Sequence, residues 1–261
     1  MMRFTFGQYC GALLLTLILG FAWLQPYFYP MDIGMQDLNN ILSPADKISW
    51  FGTDHLGRDM FARLAAAIRL SFSLSLLSVM CALLAGLLFG ILAGLFGGWY
   101  DRILSFVCDT VMALPGLLLI LLFAALSPGS FWALYLGISL VMWVEFFRVT
   151  RAITRTLATS SELEASRLMG MPLFYCIKRH LLPRLLPIIT TLMAFSIANA
   201  ILALTTLGFI NVGLRPPTAE LGLMMTELFP YYYQAPLIFL QPVLAVFLLV
   251  LSLQLLSGRV K

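Results

Sequence analysis

"TVMALPGLLLILLFAALSPGSFWALYLGISLVMWV", residues 110–144, runs for 35 positions without an Asp, Glu, Lys or Arg. As one helix rising about 1.5 Å per residue it would be roughly 50 Å long, against a membrane hydrocarbon core of about 30 Å. The chain has to turn back within it, and Ser127-Pro128-Gly129-Ser130 is the turn chemistry on offer. The stretch therefore reads as two successive spans, the first entered from about Ile103 and the second leaving near Phe147.

The rest of the chain repeats this pattern. No charge falls between Arg3 and Asp32, Arg69 and Asp101, Arg184 and Arg215, or Glu227 and Arg259. The last of these blocks opens with the aromatic and proline-rich FPYYYQAP (229–236), which suits a membrane interface. With 61% hydrophobic and 11% charged residues in 261, the chain is built for lipid, as one all-α, polytopic membrane domain over residues 1–261. Six transmembrane helices follow, near 9–28, 71–96, 103–126, 131–147, 186–210 and 237–257.

An even number of spans puts both termini on one side, and the basic residues say which. With the termini cytoplasmic, the inner segments hold eleven Lys and Arg: Arg3, Arg102, Arg148, Arg151, Arg155, Arg167, Lys178, Arg179, Arg184, Arg259 and Lys261. The outer segments hold five: Lys47, Arg58, Arg63, Arg69 and Arg215. Orientation in the membrane thus accounts for the formal charge of +4, and a nucleic-acid role loses its support. Cys10, Cys81, Cys108 and Cys176 lie far apart beside apolar residues and read as small buried hydrophobes. His55 and His180 cannot form a metal cluster alone, so no metal ligand is assigned, and His55 reads as a hydrogen-bonding residue.

The largest cytoplasmic feature is 161–183. Ser161-x-x-Glu164 has the form of a capping box, Gly170 suits the left-handed residue after a helix end, and Pro172 suits the first turn of a new helix. In that second helix Phe174, Ile177 and Leu181 make an apolar stripe and Pro183 a stop. Two short helices with a sharp break are expected. Their partner is either a protein surface or the inner leaflet.

Residues 161–183 also carry a resemblance. Glu164, Ala165, Gly170, Leu182 and Pro183 fall on the EAA signature of bacterial ABC importer permeases, with Ser166 in place of a second Ala and His180 in place of an Ile. The segments FGTDHLGRDMFARL (51–64), GGWYDRILSFVCDTVMALP (97–115) and RPPTAELGLMM (215–225) resemble the dipeptide, oligopeptide and nickel branch of that family. By the same likeness the chain is short at both ends, closing at LLSGRVK (255–261), and its core spans about 69–257.

The resemblance implies a bacterial inner-membrane permease subunit forming half of a translocation pathway. Its expected partners are a second permease, two ATP-binding subunits and a periplasmic or lipid-anchored solute-binding protein. Glu164, Ala165, Ser166, Gly170, Phe174, Ile177, Leu182 and Pro183 would couple it to the ATPase, and ATP and Mg would be bound by those partners, with no cofactor in this chain. Gly52, Thr53, Asp54, Gly57, Arg58 and Asp59 form the external-face motif. The wording of GTDHLGRD and PTAE points to nickel or a metal chelate, with dipeptides or oligopeptides as the alternative solute.

Thr53 and Asp54 look like N-caps of a short external helix carrying Leu56, Met60, Leu64 and Ile68, serving either as a gate or docking surface or as a scaffold for span two. Asp109 reads as solvated or Arg-paired near the inner interface, and Glu145 and Arg148 as a mutual pair. Gly86, Gly90 and Gly94 form a small-residue ridge for close helix packing. None of Lys47, Lys178 and Lys261 follows a glycine, so the chain holds no P-loop and is not itself the ATPase. An intramembrane enzyme would need a nucleophile and base at membrane depth, whereas both histidines fall outside the spans. An ion-coupled transporter would need midplane charges and an internal repeat.

Overall fold

A computed structural model describes residues 5–47 and 49–258. Arg3, Arg259 and Lys261, three of the inner basic residues, lie outside them. The described residues are all-α apart from an isolated bridge between Thr53 and Asp59. Five helices are long and apolar enough to cross a membrane, and a bent pair passes the same test when taken together, giving up to six crossings. They are α1 (Phe6–Phe28), α2 (Met60–Phe96), the pair α3 (Gly98–Met112) and α4 (Gly116–Leu126), α5 (Phe131–Ala158), α8 (Leu182–Phe209) and α10 (Pro236–Leu256).

The bundle is inverted relative to a water-soluble one. Ser71, Ser75 and Ser78 on α2 are fully buried, whereas Leu84 and Leu88 on the same helix stand exposed, as fits an exterior that meets lipid. α1 packs on α10 where Gly11 brings its backbone close to Ser252 and Leu256, and the Gln8 amide donates to the Gly258 carbonyl at 2.9 Å. Both ends of the described chain therefore lie at the same end of the bundle, as an even span count requires.

The central seam is α2 against α5, and the glycine ridge makes it. A Cβ on Gly86 would lie 2.9 Å from the Phe147 nitrogen, one on Gly90 would lie 2.7 Å from Thr150 Cβ, and one on Gly94 would lie 2.6 Å from Thr154 Cβ. Higher up, the Ser139 hydroxyl donates to the Ser78 carbonyl at 3.1 Å. The constant offset means the two helices run parallel in one register from Ser78 to Gly94, roughly 24 Å of rise.

Several expectations need correcting. The external helix and span two are one helix, because nothing from Met60 to Phe96 breaks it; its N-cap is Asp59, whose Oδ1 accepts the Ala62 N–H at 2.8 Å, not Thr53 or Asp54. The third span is bent by 81° between α3 and α4. Pro115 caps α4 and Gly116 follows, since a proline disfavours helical backbone in the residue before it. α5 continues past Phe147 to Ala158, with Arg148 bonding Asp109 at 2.8 Å and Arg151 bonding Asp101 at 2.7 Å. The expected Glu145–Arg148 pair therefore does not form, because Arg148 reaches α3 instead. Among the cysteines, Cys108 and Cys176 are buried as expected, while Cys81 is exposed.

Candidate functional site

Two regions carry the polar chemistry, and their geometry differs. The first is the 161–183 segment at one end of the bundle. α6 (Ser161–Leu168) is preceded by Ser160 as N-cap, whose hydroxyl turns back to the Leu157 carbonyl at 2.7 Å, so the Ser161–Glu164 capping box is not made. The helix closes as read: Gly170 sits at φ +74°, its N–H reaches the Arg167 carbonyl at 3.0 Å, and the Met171 N–H reaches the Ser166 carbonyl at 3.1 Å. This is the paired bonding of a left-handed helix cap.

The second short helix is not separate. α7 (Leu173–Cys176) passes through a π turn (Ile177–Leu181) into α8, and Leu173–Phe209 runs as one rod. Pro183 does not stop it. The Leu182 N–H bonds the Ile177 carbonyl at the wide turn, and Pro183, which has no N–H to donate, enters at the start of α8. The wide turn also splits the expected stripe: Leu181 is buried and Ile177 half-buried, but Phe174 is 75% exposed.

The segment thus has an anchored underside and a free crest. Leu163, Cys176 and Leu181 are buried, close to Leu95 and Leu157, while Leu168, Met169 and Phe174 stand out beside exposed Glu164, Ala165, Leu182 and Pro183. Ser166 and His180, the two departures from the EAA pattern, hydrogen-bond each other, Oγ to Nε2, at 2.9 Å. Glu162 and Arg184 pair at 2.7 Å and tie α6 to the base of α8. Sequence reading treated Ser166 and His180 singly and missed that each compensates the other.

The second region is the external-face motif, and here the side chains work inward. Gly52 and Gly57 have φ of +78° and +72°, and a Cβ on Gly57 would overlap the Asp37 carbonyl. Asp54, 1% exposed, accepts the N–H groups of Leu56 at 2.8 Å and Arg58 at 2.9 Å through Oδ1, and Arg58 Nε at 2.6 Å through Oδ2. Arg58 and Arg63 each reach Glu227 Oε2 at 2.8 Å, and Arg63 Nε lies 3.3 Å from Asp54 Oδ2, outside hydrogen-bonding geometry. Thr53 bonds the Asn40 carbonyl, and the Tyr29 hydroxyl donates to Asp59 at 2.8 Å. Burial and the neighbouring Asp59 carboxylate push the Tyr29 hydroxyl up to about 12.

Glu227 closes α9 (Leu221–Leu228), and Glu220 opens it by accepting the Gly222 and Leu223 N–H groups at 2.9 and 2.8 Å. Burial raises the Glu220 carboxyl above its ordinary value, and those backbone donors together with Ser71 oppose the shift. α9 is thereby pinned to the N-terminal half of α2 through Ser71 and Arg63, and to the loop before it through Arg58. Of the two readings of the motif, the scaffold that positions span two is the one its burial supports. Arg63, Glu220 and Glu227 were missed; the signal was two acids seven apart in a short apolar helix, opposite a helix start carrying Arg58 and Arg63.

His55 stacks on Tyr231 with ring centroids 5.6 Å apart, and its buried Nδ1 has no hydrogen-bond partner, so the hydrogen-bonding role read for it is not seen. Burial lowers its pKa, with Asp54 and Glu227 pulling the other way. Ligand atoms of Asp54, His55 and Glu227 lie within 4.8 Å of one another, but both carboxylates are already held by the two guanidinium groups, whose charge opposes a further cation.

This architecture has relatives. Residues 86–260 match the family described as binding-protein-dependent transport system inner membrane component. The chain belongs to this family. It is the permease subunit of an ABC importer and a multi-pass inner-membrane protein. Over 250 residues, covering 95% of this chain and 82% of theirs, it is 34% identical to the glutathione transport system permease protein GsiD of Shigella flexneri serotype 5b and 32% identical to that of Shigella dysenteriae serotype 1. The GsiD of Escherichia coli O157:H7 is 31% identical over the same span. These three relatives are named for glutathione, a peptide, and not for nickel. The MetNI methionine ABC transporter, solved in inward-facing conformations, shares the fold with a TM-score of 0.59 at 18% identity, covering 76% of this chain and 94% of that one.

Proposed function

We propose that this chain forms half of the translocation pathway for a peptide-like solute and that residues 161–183 are the surface by which an ATP-binding subunit drives it. The observation that carries this reading is the exposed crest of Leu168, Met169 and Phe174 on a base fixed by Leu163, Cys176 and Leu181. Three large apolar side chains left open on an anchored, polar-flanked segment are the makings of a docking surface.

In this reading Phe174 and Ile177 supply apolar contact. Glu164 and Ala165 stand exposed on α6, Ser166 ties it to His180, Gly170 sets the angle between α6 and the rod that continues into span five, and Leu182 and Pro183 stand exposed on that rod. The rod gives a push at α7 a stiff route into the membrane. The full assembly comprises a second permease, two ATP-binding subunits that hold ATP and Mg, and an external solute-binding protein. Both termini are cytoplasmic, as the eleven inner basic residues favour. The solute class rests on the glutathione relatives, which match the dipeptide and oligopeptide alternative.

The test is uptake by the reconstituted complex, comparing labelled glutathione with labelled nickel, together with pulldown of the ATP-binding subunit. Glu164→Arg and Gly170→Trp are expected to abolish uptake and weaken the pulldown while membrane insertion persists. Full uptake by these variants would remove the coupling role, and uptake of nickel alone would remove the peptide class.

A further inference from the structure

The fold places one acid where a membrane protein can least tolerate it idle. Glu145 lies on α5 beside Phe146 and Phe147, which pack on Gly86 of α2. From Gly86 to the end of α2 at Phe96 is roughly 15 Å of helix, about half of a hydrocarbon core of about 30 Å. Glu145 therefore lies within span four, about one turn from the exposed Arg148–Asp109 pair on its C-terminal side.

Its surroundings leave it unspent. Glu145 is half-buried, its Oε2 is buried without a hydrogen-bond partner, and it forms no ion pair among the described residues. The cations on the next two turns are committed, Arg148 to Asp109 and Arg151 to Asp101. One turn outward, Val141 lies 2.9 Å from where a Gly116 side chain would begin, at the bend of the third span. One turn inward, Val149 lines an open groove of about 580 Å³ with Pro187, Thr191 and Phe195 of α8. Glu145 thus stands on the strip of α5 between the bent span and that groove.

A carboxylate within a membrane-spanning helix is costly against lipid and is expected to face protein or water. We propose that Glu145 lines the translocation pathway and receives the cationic group of the passing solute, the α-amino group of a peptide. This rests on the peptide reading above and adds to it a residue and a recognition chemistry. The ammonium would take Oε1, since Oε2 is enclosed by the protein, as acceptor. A charge-assisted hydrogen bond of this kind is worth about tenfold in rate or affinity.

The experiment uses the complete complex in proteoliposomes with saturating solute-binding protein. Uptake of labelled glutathione and of di-alanine is compared with uptake of their desamino analogues, in which hydrogen replaces the α-amino group. Glu145→Gln is expected to slow the amino-bearing solutes about tenfold and leave the analogues unchanged, while Glu145→Asp stays near the parent rate. Parallel loss for both solute types, or unchanged uptake of both, overturns the proposal and leaves the peptide reading standing. Loss of the second permease from the purified Glu145→Gln complex, with retention in Glu145→Asp, assigns Glu145 to the subunit interface and also overturns it. If the parent complex takes up none of these peptides, the peptide reading itself fails and this inference falls with it.

Discussion

Replacing Glu227 by Gln isolates the ion cluster that holds the external loop to the bundle. The side chains of Arg58, Arg63, Asp54 and Glu227 are 3%, 1%, 2% and 13% exposed, so solvent can do little to compensate a missing charge. Two guanidinium groups face two carboxylates; removing one carboxylate leaves Asp54 to balance a single guanidinium and strands the other. Breaking a buried pair in this way costs about 3–5 kcal/mol. The amide oxygen of Gln can still accept one bond, so the low end, about 3 kcal/mol, is expected. For a domain of this size each kcal/mol moves the melting point by about 2–4 °C, giving a fall of roughly 6–12 °C. Thermal unfolding of the purified complex measures it. Adding Arg63→Met should restore part of the loss, because the stranded charge is then gone, and the double-mutant coupling should exceed about 1.5 kcal/mol. A Glu227→Gln melting point within about 2 °C of the parent, or strict additivity with Arg63→Met, would refute this account of the cluster.

Gly90→Ala puts a methyl 2.7 Å from Thr150 Cβ in the α2–α5 seam and is expected to destabilise by about 1–3 kcal/mol, whereas Gly20→Ala, with nothing within 4 Å, should be neutral or stabilising; melting points of both variants decide it. Ser166→Ala and His180→Ala should each loosen α6 by about 1 kcal/mol, the double variant costing little more than either, read by hydrogen exchange of the 161–170 amides. His55 is harder to protonate when folded, so the stability it contributes is present above its unfolded value of about 6.5 and is lost as pH falls through the lower folded value; acidification from pH 7 to 5 should destabilise the parent more than a His55→Gln variant.

Charge-free block lengths made the span count legible, and the turn at 127–130 fell where a 35-residue block demanded it. The glycine ridge was legible as a packing face, though not its partner, because nothing on α2 says which helix presents Thr150 and Thr154. What escaped reading was continuity. Proline was taken as a stop at Pro183, where a π turn absorbs the missing donor, and passed over at Pro115, where it ends α3 and starts α4. The same local chemistry bends one helix and not another because neighbouring helices decide which is tolerated. Ion partners were the other gap. Arg148 had an acid three residues away and chose one 39 residues away, since Asp109 is brought alongside only by the packing of α3 on α5.

The central claim is that the 161–183 crest is gripped by the ATP-binding subunit, and a photo-crosslinker at position 174 of the assembled complex tests it most directly. The account predicts a crosslink from position 174 to the ATP-binding subunit and none from position 233, at the opposite end of the bundle. A crosslink to that subunit from position 233, with position 174 silent, would contradict it.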